Sequence, residues 1–137
     1  MHVLIDTTVL VEAERRTFYL DSWIQNRGDV EGIFVCDAGI AEWLTGEPLR
    51  DEGKRQRFRQ YWEQFLSQMP SLPLTRQVCE RAGALSFLAR TKGRTIPLGD
   101  ALHGGVAETE NLTVLTLDTG HFEDMGVPAL NPLSPAL

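Results

Sequence analysis

The sequence predicts an α/β fold with a central parallel sheet, and three stretches carry that prediction. The run Leu112 to Leu117 is apolar and β-branched, interrupted only by threonines, as suits a central strand covered on both faces. His2 to Ile5 is a second apolar run; Asp6 ends it, and a helical pattern follows with Thr7 or Thr8 near its cap. Ile33 to Cys36 is a third, followed by Asp37 at an expected N-cap and a helix, AGIAEWLTG, that runs to Gly46. Strands that alternate with helices favour parallel pairing, because parallel neighbours need a crossover between them.

Composition bounds the rest. The 137 residues predict one domain, 1–137, large enough to bury a core. Hydrophobic residues make up 42% and charged residues 23%, the balance of a soluble globular chain. No apolar run nears the ~20 residues that span a bilayer. The start lacks a basic segment followed by an apolar one, so a cytoplasmic location is expected. Cys36 and Cys79 stand apart without paired spacing, and both are expected to be buried thiols rather than a disulfide or zinc site. A net charge of −6 argues against holding nucleic acid by broad phosphate neutralisation and favours a basic protein partner. There is no internal repeat, low-complexity tract or linker.

The remaining elements follow in order. Phe18 to Gln25 has a helical apolar face, closed by Asn26-Arg27-Gly28. Glu47 to Gln60 concentrates Arg50, Lys54, Arg55, Arg57 and Arg59, either a solvated helix face or a rim that guides a nucleic-acid backbone. It flows into a helical stripe of Phe58, Tyr61, Trp62, Phe65, Leu66 and Met69, expected to be core or dimer interface. Leu72-Pro73-Leu74 fits only a short edge strand. Thr75 to Lys92 reads as a helix capped by Thr75, with Val78, Ala82, Leu85 and Leu88 inward and Gly93 as the stop. The next helix carries Asp100 near its start. Its small residues Ala101, Gly104, Gly105 and Ala107 are expected to let it lie close to the sheet. Pro128, Pro132 and Pro135 suggest a last short strand and a tail.

Acids mark the strand ends. Asp6 closes the first strand and Asp118 is expected directly after the Leu112 to Leu117 strand, where open α/β sheets hold ligands. Asp100 and Glu42 lie on helices beside them, Glu42 among Ile40, Trp43 and Leu44. Asp100 has a plain alternative as a cap, and Asp118-Thr119-Gly120 as a turn. Two strands that both end in carboxylates would nevertheless repel in a partly desolvated cleft unless a divalent cation sat between them. Oxygen donors without a histidine cluster suit Mg²⁺ or Mn²⁺ rather than zinc. His103, one turn beyond Asp100, is expected to be a satisfied or surface side chain, with metal binding the weaker reading.

The ordered set LIDTTVL, IAEWLTG, IPLGDALHGGVAE and LTVLTLDTGHFEDMGVPALNP resembles PIN-domain proteins of the VapC toxin type over nearly the whole chain. The resemblance implies a three-layer α/β/α PIN-like domain, a homodimer and a cognate antitoxin. It implies Mg²⁺- or Mn²⁺-dependent hydrolysis of RNA, with Asp6, Glu42, Asp100 and Asp118 as the catalytic, metal-binding acids and Thr7 and Thr116 as supporting hydroxyls. Two positions depart from the family's habit: threonines fill both places after Asp6, and His103 stands where an aliphatic residue is usual. Two rival readings remain. A haloacid-dehalogenase-type phosphatase needs a second aspartate two residues after the first, and Thr8 stands there. A non-catalytic PIN-like module, whose acidic cleft only receives a basic antitoxin segment, would show no saturable metal site.

Overall fold

The computed structural model describes residues 1–134. Strand β1 (His2–Ile5) lies at the centre of one sheet. Strands β2 (Gly32–Cys36) and β3 (Ser71–Leu72) flank it on one side, and β4 (Thr113–Leu115) and β5 (Ala129–Leu130) on the other, all parallel. The register places Ile5 opposite Leu115, so the chain leaves β1 and β4 at the same edge.

Alternation along the strands makes two cores. Leu4, Cys36 and Val114 face one side of the sheet; Ile5, Val35 and Leu115 face the other. Helices α5 (Arg76–Thr91), α6 (Leu98–Glu110) and α7 (Thr119–Met125) cover the first side through Val78, Leu85, Val106, Phe122 and Met125. Helices α1 (Thr7–Glu14), α2 (Leu20–Arg27) and α4 (Glu52–Gln64) cover the second through Val9, Leu20 and Phe58. Helix α3 (Asp37–Leu44) reaches both cores, with Ala38 in one and Trp43 in the other. The result is the expected three-layer α/β/α arrangement.

Several local expectations hold for the expected reasons. The Thr75 hydroxyl accepts from Val78 N–H at the start of α5. Gly28 and Gly93 take the left-handed conformation at helix ends. Strand β3 is an edge strand. The aromatic stripe of α4 is core: Trp43 stacks on Phe58, ring centroids 3.8 Å apart. β5 is the expected last strand, and the tail at Pro135 lies outside the described residues.

Others need correction. Asp37 is not the N-cap of α3; that place is Cys36, and the Asp37 carboxylate instead accepts from the Ser71 hydroxyl at 2.6 Å. Leu88 is exposed, and Ala89 fills the inward position one residue on. Cys36 is buried but Cys79 is exposed. The small face of α6 serves helix contacts more than the sheet. A Cβ on Gly105 would lie 2.6 Å from the Val78 carbonyl oxygen of α5, and one on Gly104 would lie 3.0 Å from Met125 of α7.

That close approach is testable. Gly105→Ala should lower the unfolding free energy by about 1–3 kcal/mol in a urea titration, because backbone must shift to admit the methyl. Gly83→Ala, on α5 with open space around it, should raise stability by roughly 0.5–1 kcal/mol. Equal effects at the two sites would contradict the packing described.

Candidate metal centre

In this sheet the strand order reverses at β1, which pairs with β2 on one side and β4 on the other. Such a switch point opens a crevice at the carboxyl ends of the two strands. Asp6 follows β1 directly, and its N–H donates to the Leu115 carbonyl of β4 at 2.9 Å. Asp118 lies three residues beyond β4 rather than directly after it, because the regular ladder ends at Leu115.

Neither acid is used in capping. Asp6 and Asp118 occupy the N-cap positions of α1 and α7, yet neither side chain makes a cap hydrogen bond. Asp100 is in the first turn of α6, whose N-cap is Pro97. Their carboxylates therefore remain free for other partners.

Asp6 is almost fully buried and held on one side. Thr116 donates to its Oδ2 at 2.8 Å and Thr8 at 3.0 Å. Thr8 also accepts from Leu117 N–H at 3.1 Å, and Thr116 from Asp118 N–H at 3.1 Å, so the two hydroxyls tie Asp6 to the chain that presents Asp118. Thr7 serves Glu42 instead, donating to Oε1 at 3.3 Å. Glu42 is about half exposed, with a side-chain accessibility of 45%, so its surroundings are not the apolar ones expected. Space for it comes from Gly99, where a Cβ would lie 2.6 Å from the Glu42 carboxylate.

Two imidazoles stitch the acids into pairs. His103 is fully buried, contrary to a surface placement, and only half satisfied. Its Nδ1 donates to the Gly99 carbonyl at 2.8 Å and lies 3.8 Å from Glu42 Oε1. Its Nε2 has no hydrogen-bond partner and faces Asp6 Oδ1 at 3.7 Å. Burial opposes its charge, but Cys36, Asp6 and the Gly99 carbonyl outweigh that and raise its pKa. His121 forms the second pair: its Nδ1 donates to Asp100 Oδ2 at 2.6 Å and lies 3.2 Å from Asp118 Oδ2. The Asp100 bond is the main cause of a raised His121 pKa, with partial burial opposing and the Asp118 charge adding to it. Asp100 itself is pushed up, first by burial; the His121 bond opposes this, and the Asp6 charge adds to it. That repulsion links the two pairs into one electrostatic unit.

The structure thus brings Asp100 and Asp118 together around His121, and Asp6 and Glu42 together around His103. Sequence reasoning missed two participants. Thr8 gave no signal beyond being a threonine next to a strand-end acid. His121 did give one: three residues after Asp118 on a short helix, it shares the acid's face. The basic stretch is placed differently from the expected rim. Arg55 and Arg59 pair with Glu47, while Lys54 and Arg57 line a hollow with Arg15 and Trp43 in which none of the four acids takes part.

Carboxylates gathered at the switch point of a parallel sheet make that edge of the protein acidic. The chain belongs to the PIN-domain family, whose domain its residues 3–128 match. It is 31% identical to the plasmid stability protein StbB of Pseudomonas syringae pv. tomato, over 95% of this chain and 97% of that one. It is 25% identical to the ribonuclease VapC10 of Mycobacterium tuberculosis, over 88% of this chain and 85% of the relative. The crystal structure of FitAcB from Neisseria gonorrhoeae superimposes with a TM-score of 0.77 at 27% identity, covering 95% of this chain and 97% of that one.

The electrostatic coupling makes a direct prediction. Asp100→Asn removes the carboxylate that chiefly holds the His121 proton, so the His121 pKa should fall toward its ordinary value in a histidine NMR titration. An unchanged pKa would mean that Asp118 alone holds the proton.

Proposed function

We propose that this chain is a divalent-metal-dependent endoribonuclease, the toxin of a toxin–antitoxin pair, folded as one PIN-like domain over 1–137. The reading is carried by two carboxylate pairs, Asp6 and Glu42 around His103 and Asp100 and Asp118 around His121, with Asp6 and Asp118 following β1 and β4. Membership of the PIN family and the ribonuclease VapC10 among the relatives support it.

The donor set fits a hard cation. Asp6, Asp100, Asp118 and Glu42 offer oxygens of the kind Mg²⁺ and Mn²⁺ take. A bound ion would polarise a water and offset the charge of the scissile phosphate.

The chain's own residues do the rest. Thr8 and Thr116 hold Asp6 Oδ2, which fixes the carboxylate and leaves Oδ1 facing His103 Nε2. Asp100 and Asp118 flank it from the neighbouring elements. Glu42, at the rim and steadied by Thr7, is placed to orient the attacking water and accept its proton. By likeness to the family the products carry a 5′-phosphate and a 3′-hydroxyl.

A cognate antitoxin and a homodimer belong to the same reading. An acidic chain with its carboxylates gathered in one crevice suits a basic inhibitory segment. Among the described residues no helix is long and apolar enough to cross a membrane, and the proposed location is cytoplasmic.

Asp6→Asn should reduce cleavage of a fluorogenic RNA by at least about 100-fold, while circular dichroism stays that of the wild type. EDTA should abolish cleavage, and Mg²⁺ or Mn²⁺ should restore it. Undiminished turnover in the variant, or full activity in EDTA, would overturn the proposal.

A further inference from the structure

His121 has no place in the all-oxygen set read from the sequence, yet its ring lies between Asp100 and Asp118. Its Nδ1, the nitrogen nearer these acids, lies 2.6 Å from Asp100 Oδ2 and 3.2 Å from Asp118 Oδ2. All three ligand atoms lie within 4.8 Å of one another. A six-coordinate ion with bonds of ~2.1 Å sets neighbouring donors about 3 Å apart, so these separations suit adjacent positions around one ion. On the other side of the crevice the buried His103 Nε2 lacks a hydrogen-bond partner and lies 3.7 Å from Asp6 Oδ1.

We propose that His121 supplies a nitrogen ligand, through Nδ1, to the cation held by Asp100 and Asp118, and that this ligand shifts the site's preference from Mg²⁺ toward first-row transition-metal ions. The inference deepens the metal reading above and rests on it. Magnesium favours oxygen donors and keeps its waters, whereas imidazole is a good ligand for transition ions. A nitrogen at this position therefore stabilises Mn²⁺ more than Mg²⁺. The ring is about one-third exposed and already oriented by Asp100, and on metal binding the Nδ1 proton that it donates to Asp100 is released to solvent. His103 is a poorer donor for this ion, since its Nδ1 is committed to the Gly99 carbonyl and its Nε2 faces the other acid pair.

The test reads the metal's ligands and its affinity. Full-length protein is loaded with Mn²⁺, and ¹⁴N modulation is recorded by electron spin-echo spectroscopy for wild type and His121→Gln. Mg²⁺ competition titrations on both proteins give the ratio of Mn²⁺ to Mg²⁺ affinity. Histidine-nitrogen modulation is expected in the wild type and absent in the variant, with the affinity ratio about tenfold lower in the variant. Saturable Mn²⁺ binding without ¹⁴N modulation in the wild type would overturn the inference and leave the oxygen-only site standing. Modulation that persists in His121→Gln, or an affinity ratio within about twofold of wild type, would also overturn it. Failure of the wild type to bind Mn²⁺ saturably would overturn the metal reading as well.

Discussion

Parallel pairing of β1 with β4 brings the chain out at one edge of the sheet, and each exit there carries an aspartate. Repulsion among carboxylates in that crevice is the constraint around which the rest is arranged. The burial and the Asp6 charge that together push the Asp100 pKa up are its direct expression. Two devices keep the acids together. Threonine hydroxyls hold Asp6 from one side, and imidazoles stand between the members of each pair. Hydroxyls fix direction without neutralising charge.

Packing serves that edge. Gly105 lets α6 approach the Val78 carbonyl of α5, which sets where the first turn of α6, and so Asp100, stands relative to the strands. Gly99 leaves room for the Glu42 carboxylate, and without it the residue would be pushed from the crevice. The aromatic stack of Trp43 on Phe58 anchors α3 from beneath, so that Glu42, one residue earlier, projects from a helix that is held in place.

Much of this was legible in the sequence. Apolar runs and the acids that follow them revealed the parallel strands, because strand, acid and helix recur in a pattern that sidedness of burial imposes. Asp6, Asp100 and Asp118 stand at or near helix starts, whereas Glu42, inside α3, is singled out only by its place soon after a strand, since the apolar surroundings expected of it are not there. Less legible was anything that depends on which neighbour a side chain finds. Asp37 looks like a cap from its position but finds Ser71 across the sheet. His103 looks like a surface or satisfied residue, and only the turn of α6 toward Asp6 shows that one nitrogen is stranded. His121 was hidden by its place in a turn-like DTGHF segment, although its spacing from Asp118 gave a usable sign. The small residues of α6 announced close packing but not its partner, which is mainly α5.

The central claim is that these acids surround a single cation-binding crevice, and anomalous diffraction from crystals soaked in Mn²⁺ tests it most directly. The account requires an anomalous peak at the β1/β4 crevice, within bonding distance of Asp6, Asp100 or Asp118 oxygens. A well-ordered soaked crystal with no peak there, or with its only peaks at unrelated surface acids, would contradict it.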